Sequence, residues 1–171
     1  MRQRVVIALA LCSDPKLIIA DEPTTALDVS IQAQIIGLMK KLCRDYQTAI
    51  LLITHDMGVI AETADRVAVM YAGRVVEIGS VRNVVRRGQH PYTRGLMGSI
   101  PKVGDDVEHL IQIDGAMPGL TEVPLGCAFH PRCGVAMEVC RQDTPLLQRC
   151  EHTEVACWQV VKAGAEVKGE A

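Results

Sequence analysis

Hydrophobic positions follow two alternating rhythms over the first 79 residues. Arg2 to Cys12 is apolar at most positions and reads as a helix, stopped by Ser13-Asp14-Pro15. Leu17-Ile18-Ile19-Ala20 is a short unbroken apolar run, which predicts a strand covered on both faces of a parallel sheet. Asp28 stands where a helix N-cap belongs, and Ile31, Ile35, Leu38 and Leu42 line one face of a helix reaching about Arg44. Ala49 to Thr54 predicts the next buried strand, and Asp56 to about Thr63 a short helix. Arg66 to Tyr71 and Arg74 to Ile78 flank Ala72-Gly73, the pattern of a hairpin whose glycine supplies an unusual backbone angle. Strand, helix, strand, helix and then an antiparallel pair describe an α/β domain with crossover units.

The texture changes at Gly88, where Pro, Gly and His become frequent and the apolar period weakens. His90-Pro91-Tyr92-Thr93 opens a short helix with Tyr92, Leu96 and Ile100 on one face, ended by Pro101. Residues 111–157 carry most of the cysteines, and Lys162 to Ala171 reads as a frayed tail. The expected organisation is an α/β part over 1–87, a small irregular cysteine-rich extension over 88–161, and a tail over 162–171.

Composition narrows the functional classes. The chain has 171 residues, 49% of them apolar, enough for a core. A net charge of −2 with no Lys/Arg block argues against nucleic acid as the main partner, and scarce aromatics argue against a base-stacking platform. The longest apolar run, Val5 to Cys12, is far below the roughly 20 residues needed to cross a bilayer. No signal peptide opens the chain, so it is read as cytoplasmic, attached to a membrane only through partners. Seven cysteines in that setting read more readily as metal ligands than as disulfides.

The most informative segment is the apolar run that ends in Asp21-Glu22. A buried strand that stops in two carboxylates puts both at the sheet edge where ligands of open α/β sheets sit. One carboxylate can position hydrated Mg²⁺, while the other can take a proton from water attacking a phosphoryl group. Taken alone the pair is also compatible with a solvated strand end. Pro23-Thr24-Thr25-Ala26-Leu27-Asp28 follows it, however, and the second strand ends in Thr54-His55-Asp56.

In this register Leu17 to Pro23 resembles the Walker B strand of ABC ATPases. Ala26-Leu27-Asp28 looks like their D-loop, Leu52 to Asp56 resembles the switch-histidine segment, and Met1 to Val5 is similar to the stretch after their signature loop. The resemblance implies a partial P-loop NTPase sheet that binds ATP. By it, Asp21 would hold Mg²⁺ through water and Glu22 would polarise the attacking water. His55 would contact the γ-phosphate, and Asp28 would reach toward the partner's site across a dimer interface.

The sequence departs from the family at one point: no Gly-x-x-x-x-Gly-Lys-[Ser/Thr] phosphate cradle occurs in it. Met1 is expected to be an internal methionine of a longer gene. The polypeptide alone is expected to be marginally stable, with the Walker B strand's edge unpaired, and to turn over no ATP.

Cys127, Cys133, Cys140 and Cys157 are spaced C-x5-C-x6-C-x16-C. Spacing alone leaves zinc and an iron–sulfur cluster both open. The run Gly126 to Cys133, with Cys140 and Pro145-Leu146, resembles the C-terminal extension of oligopeptide and dipeptide importer ATPases, and His90-Pro91-Tyr92-Thr93 resembles its start. That resemblance implies a [4Fe–4S] cluster on the four cysteines, with Cys150 competing with Cys157 as fourth ligand. Cys12 and Cys43, in apolar helical settings, are expected as small core residues.

The implied whole is the energy-coupling subunit of a bacterial importer for di- or oligopeptides at the cytoplasmic face of the inner membrane. Its partners would be a second ATPase subunit, two transmembrane permease subunits and, indirectly, a peptide-binding protein, with no nucleic acid. A stand-alone iron–sulfur or zinc protein carrying a dead ATPase remnant is the alternative.

Overall fold

The computed structural model describes residues 2–100 except Ala26, then 112–119 and 121–161. The expected helix stop at Pro101, the tail and Ala26 of the D-loop segment lie outside the described residues. The chain forms two compact units, Met1–Ala64 and Asp65–Ala171.

The first unit runs α1 (Arg2–Leu11), β1 (Leu17–Asp21), α2 (Val29–Tyr46), β2 (Ala49–Ile53) and α3 (Met57–Thr63). β1 and β2 pair in parallel with Leu17 opposite Ala49 and Asp21 opposite Ile53. A parallel pair needs a crossover, and α2 supplies it. Asp28 caps α2 by accepting from Ile31 N at 2.9 Å, and Asp56 caps α3 by accepting from Gly58 N and Val59 N. Both caps follow the expected positions and satisfy otherwise orphaned helix N–H groups.

The core of this unit differs from the expectation in two ways. The buried stripe of α2 is Ile35, Ile36 and Met39, while Ile31 is exposed. The strands also expose one face: Leu17, Ile19, Leu51 and Ile53 are 45–64% accessible, so the expected cover on both faces is absent from this unit. Two strands and three helices leave nothing to lie on that face. α1 is loosely seated as well, leaving an apolar cavity of about 350 Å³ lined by Val6, Ile7, Ile18, Met39 and Leu42. Cys12 is exposed rather than a core residue, and Cys43 is half-buried on that cavity's wall.

The second unit contains β3 (Arg66–Tyr71), β4 (Arg74–Ser80), α4 (Val81–Arg87), α5 (Pro91–Gly98), a 3-10 turn at His130–Arg132, α6 (Glu138–Gln142), β5 (Gln148–Cys150) and β6 (Thr153–Val155). The sheet order is β3-β4-β6-β5, antiparallel throughout. Positive φ at both Ala72 (46°) and Gly73 (77°) gives the hairpin the turn handedness that matches strand twist. The register of β3 on β4 slips between Val69 and Met70, which sets Val76 as the extra residue of a bulge.

β6, from the far end of the cysteine-rich stretch, pairs with β4, matching Glu77 with Val155 and Gly79 with Thr153. The stretch after residue 88 folds onto the hairpin instead of standing beside it. Its core joins Val69, Tyr71, Val76 and Val84 to Ala128 and Phe129. Tyr71, Tyr92 and Phe129 meet edge-on or tilted at 4.8–5.4 Å, so three of the five aromatic residues of the chain tie the hairpin, α5 and the cysteine loop together.

Candidate functional site

The first candidate site lies at the C-terminal ends of β1 and β2. Glu22 continues the ladder, its N–H donating to Ile53 O at 2.9 Å, but its φ is 44°. A left-handed backbone is unfavourable for glutamate and turns the chain out of the strand at this residue. The carboxylate then accepts from His55 Nδ1 at 2.8 Å and from Thr25 Oγ1 at 3.0 Å. Because a carboxylate only accepts, His55 carries its proton on Nδ1, and Nε2 faces away from Glu22.

The hydrogen bond from His55 holds Glu22 below the ordinary carboxylate range, and the same bond raises His55 above the ordinary imidazole range. Both side chains are open to solvent, His55 at 83%, so this is a charge arrangement and not a stability element. Asp56 is lowered chiefly by the Val59 N–H, with Gln32 Nε2 donating to its other oxygen at 2.8 Å. That bond joins the crossover helix to the histidine segment. Asp21 is exposed at the end of β1, and Asp28 is occupied as the α2 cap. The geometry thus brings together Glu22 and His55, with Asp21 adjoining and Asp28 six residues further on at a helix start.

The second candidate site is a small cavity of about 10 Å³, room for one water-sized sphere, in the other unit. Cys127, Cys133, Cys140 and Cys157 all line it, together with His90 and His130. Cys150 sits in β5 opposite Thr153 and is not among the lining residues. Burial raises the Cys127 and Cys133 thiols, and their neighbouring thiols raise them further. The N–H groups of Phe129 and Val135 act against this at Cys127 and Cys133, and Met137 N donates to Cys140 Sγ at 3.4 Å. Backbone N–H groups aimed at sulfur suit thiolates bound to a metal. Among the described residues, however, no group of three or more His, Cys, Asp or Glu side chains stands in the geometry of a formed metal site. The donor set fits a thiolate centre, and the sulfurs would have to draw together around an ion.

The loop is held by specific contacts. Cys127 N donates to Cys140 O at 2.8 Å, and Gly126 takes φ 72° with no room for a side chain, since an added Cβ would meet Cys140 O at 2.5 Å. Arg132 donates to Ile113 O and Asp114 O at 2.9 and 2.8 Å.

Two buried titratable residues were given no site role by sequence, although His90 was read as opening α5. Glu77, 0% exposed, accepts from Gln89 N at 2.9 and 3.1 Å and from His90 N at 3.0 Å. His90, 1% exposed, accepts from Tyr92 N at 3.0 Å through Nδ1, and burial pushes its pKa down to about 4. His90 before Pro91 is a readable cap signal, whereas Glu77 in an alternating strand reads as a solvent-facing position.

Residues 76–140 match the family model described as the oligopeptide/dipeptide transporter C-terminal region. The chain is 52% identical over 167 residues to the oligopeptide transport ATP-binding protein AppD of Bacillus subtilis, covering 97% of this chain and 51% of AppD. This chain belongs to the oligopeptide/dipeptide transport ATP-binding family. The oligopeptide transport ATP-binding protein OppD of Haemophilus influenzae is 51% identical over 159 residues, covering 92% of this chain and 49% of that protein. The dipeptide transport ATP-binding protein DppD of Bacillus subtilis is 51% identical over 160 residues, covering 92% and 48%. This family member spans about half the length of those relatives. A solved dimeric ATP-binding cassette, in a post-hydrolysis state with ADP and phosphate, is 36% identical at a TM-score of 0.43 over 47% of this chain and 34% of its own. So small an overlap adds nothing to the fold, which stands on its own strands and helices. Among the described residues no helix is long and apolar enough to cross a membrane.

Proposed function

We propose that this chain supplies the hydrolytic edge of an ATPase subunit that drives di- or oligopeptide import. The single observation that carries this is the 2.8 Å contact between Glu22 and His55 at the tips of two parallel strands, in a chain related to transport ATP-binding proteins. Phosphoryl transfer needs positioned charge more than covalent chemistry. Glu22 accepts hydrogen bonds on both oxygens, so it can orient a water and take its proton once His55 turns toward the terminal phosphate. His55, favoured as the doubly protonated imidazolium by the Glu22 carboxylate, carries an N–H on Nε2 as well and can donate it to the phosphate. Asp21, exposed at the strand tip, would hold Mg²⁺ through water; when bound, the ion neutralises charge building on the phosphate oxygens. Asp28, at the α2 start, would approach the second ATPase subunit.

The exposed apolar face of β1 and β2 supports the same reading, because it suits burial by the part of the relatives that this chain does not span. By this reading the 171-residue polypeptide alone turns over no ATP. The other partners are two permease subunits in the inner membrane and a peptide-binding protein that feeds them, with this subunit peripheral on the cytoplasmic side. The test is a chimera joining the unspanned half of AppD to this chain. Glu22→Gln in it should keep ATP binding and lose turnover; retained turnover refutes the assignment of Glu22 as base.

The four-cysteine cavity is read as a [4Fe–4S] site on Cys127, Cys133, Cys140 and Cys157, a centre of structural or sensing role. Zinc is the second reading, favoured by a cavity that has room for one ion. Iron, sulfide and zinc analysis of the purified chain separates them. A stand-alone metal protein with an idle ATPase remnant would bind metal but no nucleotide in the chimera.

A further inference from the structure

His55 stands between two residues whose contacts fix the backbone around it. Before it, Thr54 Oγ1 accepts from Asp56 N at 3.1 Å. After it, Asp56 Oδ1 accepts from Gly58 N at 2.9 Å and from Val59 N at 3.1 Å. These bonds are local, so they shape the turn without placing it against the rest of the unit. Asp56 Oδ2 has a distant partner: Gln32 Nε2 donates to it at 2.8 Å from α2, 24 residues earlier in the chain. Gln32 ends the first turn of that helix, where its own N–H donates to Asp28 O at 2.9 Å.

A second tie joins the same two helices. Lys40 Nζ donates to Glu62 O at 2.7 Å and lies 3.6 Å from the Glu62 carboxylate. Lys40 is about 12 Å further along α2 than Gln32 and holds the far end of α3. Gln32 instead holds the residue directly after His55. Its bond ends on a half-buried carboxylate, the charge-assisted kind that is shorter and stronger than a neutral one. The His55 side chain is 83% exposed. With so little packing on the ring, its aim depends on where its backbone is set and on the Glu22 contact.

We infer that Gln32 is a positioning residue for His55: through Asp56 it fixes the histidine segment to the first turn of α2. This deepens the proposed function and rests on it, because the position matters to turnover only where Glu22 and His55 act on ATP. It ties the histidine to the same helical turn as Asp28, the residue proposed to approach the second subunit.

Gln32→Met keeps the length of the side chain and removes the donor, whereas Gln32→Arg keeps N–H donors for Asp56. Lys40→Met cuts the other tie and controls for a general loosening of α2 against α3. NMR titration of His55 in the full 171-residue chain reads the histidine's place directly. In Gln32→Met its raised pKa should fall toward 6.5 as the Glu22 contact loosens, while Lys40→Met keeps the raised value. In the chimera with the unspanned half of AppD, Gln32→Met should bind ATP within about twofold of the parent. Its hydrolysis of bound ATP should slow about ten- to a hundredfold, the cost of a misplacement of about 1 Å, and Gln32→Arg should restore it. An unchanged His55 titration in Gln32→Met, or an equal fall in Lys40→Met, overturns the inference and leaves Gln32 an ordinary helix tie. Parent-like turnover in Gln32→Met while Glu22→Gln is inactive overturns it too, with the proposed function intact. Turnover retained in Glu22→Gln refutes the reading of the site, and this inference with it.

Discussion

Replacing Glu77 should destabilise the second unit by an amount that can be worked out from its contacts. The carboxylate is 0% exposed and is the acceptor for two backbone N–H groups, those of Gln89 and His90. Glu77→Gln leaves one acceptor oxygen for two donors and turns an amide NH₂ toward the other. One buried donor left unsatisfied costs about 1–3 kcal/mol, and Gln89 is partly accessible to water, which favours the lower half of that range. Glu77→Ala orphans both donors, for about 2–6 kcal/mol, and the void it opens adds to that. The single tryptophan, Trp158, lies in the same unit with its indole N–H on Asp143 O at 3.0 Å. Its fluorescence during urea unfolding therefore reports on this unit. The ordering parent, Glu77→Gln, Glu77→Ala is expected. If Glu77→Ala unfolds within about 0.5 kcal/mol of the parent, as an ordinary surface change would, the clamp described here does not hold the loop.

Two further outcomes follow from the sites. The Glu22–His55 contact predicts, by NMR titration, a His55 pKa above 6.5 that falls back toward 6.5 in Glu22→Gln. The raised histidine favours the folded pair below pH 6.5 and loses that effect as pH rises through its folded value. The lowered glutamate favours it above pH 4.5 and loses the effect as pH falls through its folded value, so the pair is tightest between the two. Unchanged His55 titration in Glu22→Gln would show that the contact does not persist in solution. Gly126→Ala must move a Cβ that lies 2.5 Å from Cys140 O and strain a φ of 72°; it should weaken zinc binding and lower the unfolding midpoint together, and a variant matching the parent in both would contradict the loop geometry.

Sequence reading worked where a local rule and the tertiary structure agree. The apolar runs at 17–21 and 49–53 are strands, Asp28 and Asp56 cap helices, and Ala72-Gly73 turns a hairpin. The contact of Glu22 with His55 followed from two strand ends in parallel register. What was hidden lay in long-range pairing. Gln148 to Cys150 is polar and three residues long, and nothing local shows that it and Thr153 to Val155 extend the β4 sheet. α4 was readable in principle: Ser80 caps it, Val81, Val84 and Val85 recur at helical spacing, and Gly88 follows. Cys12 was misplaced because α1, apolar over much of its surface, buries little of it within this unit, leaving Val5, Val6 and Leu9 59–67% exposed. The left-handed backbone of Glu22 carries no residue signal, since glutamate is an unusual occupant of that region.

The central claim is that Glu22 activates the water that attacks ATP. Single-turnover hydrolysis by the chimera of this chain with the unspanned half of AppD measures it directly. The account predicts that Glu22→Gln binds ATP with parent-like affinity and releases no phosphate above background. Phosphate release at the parent rate would contradict it.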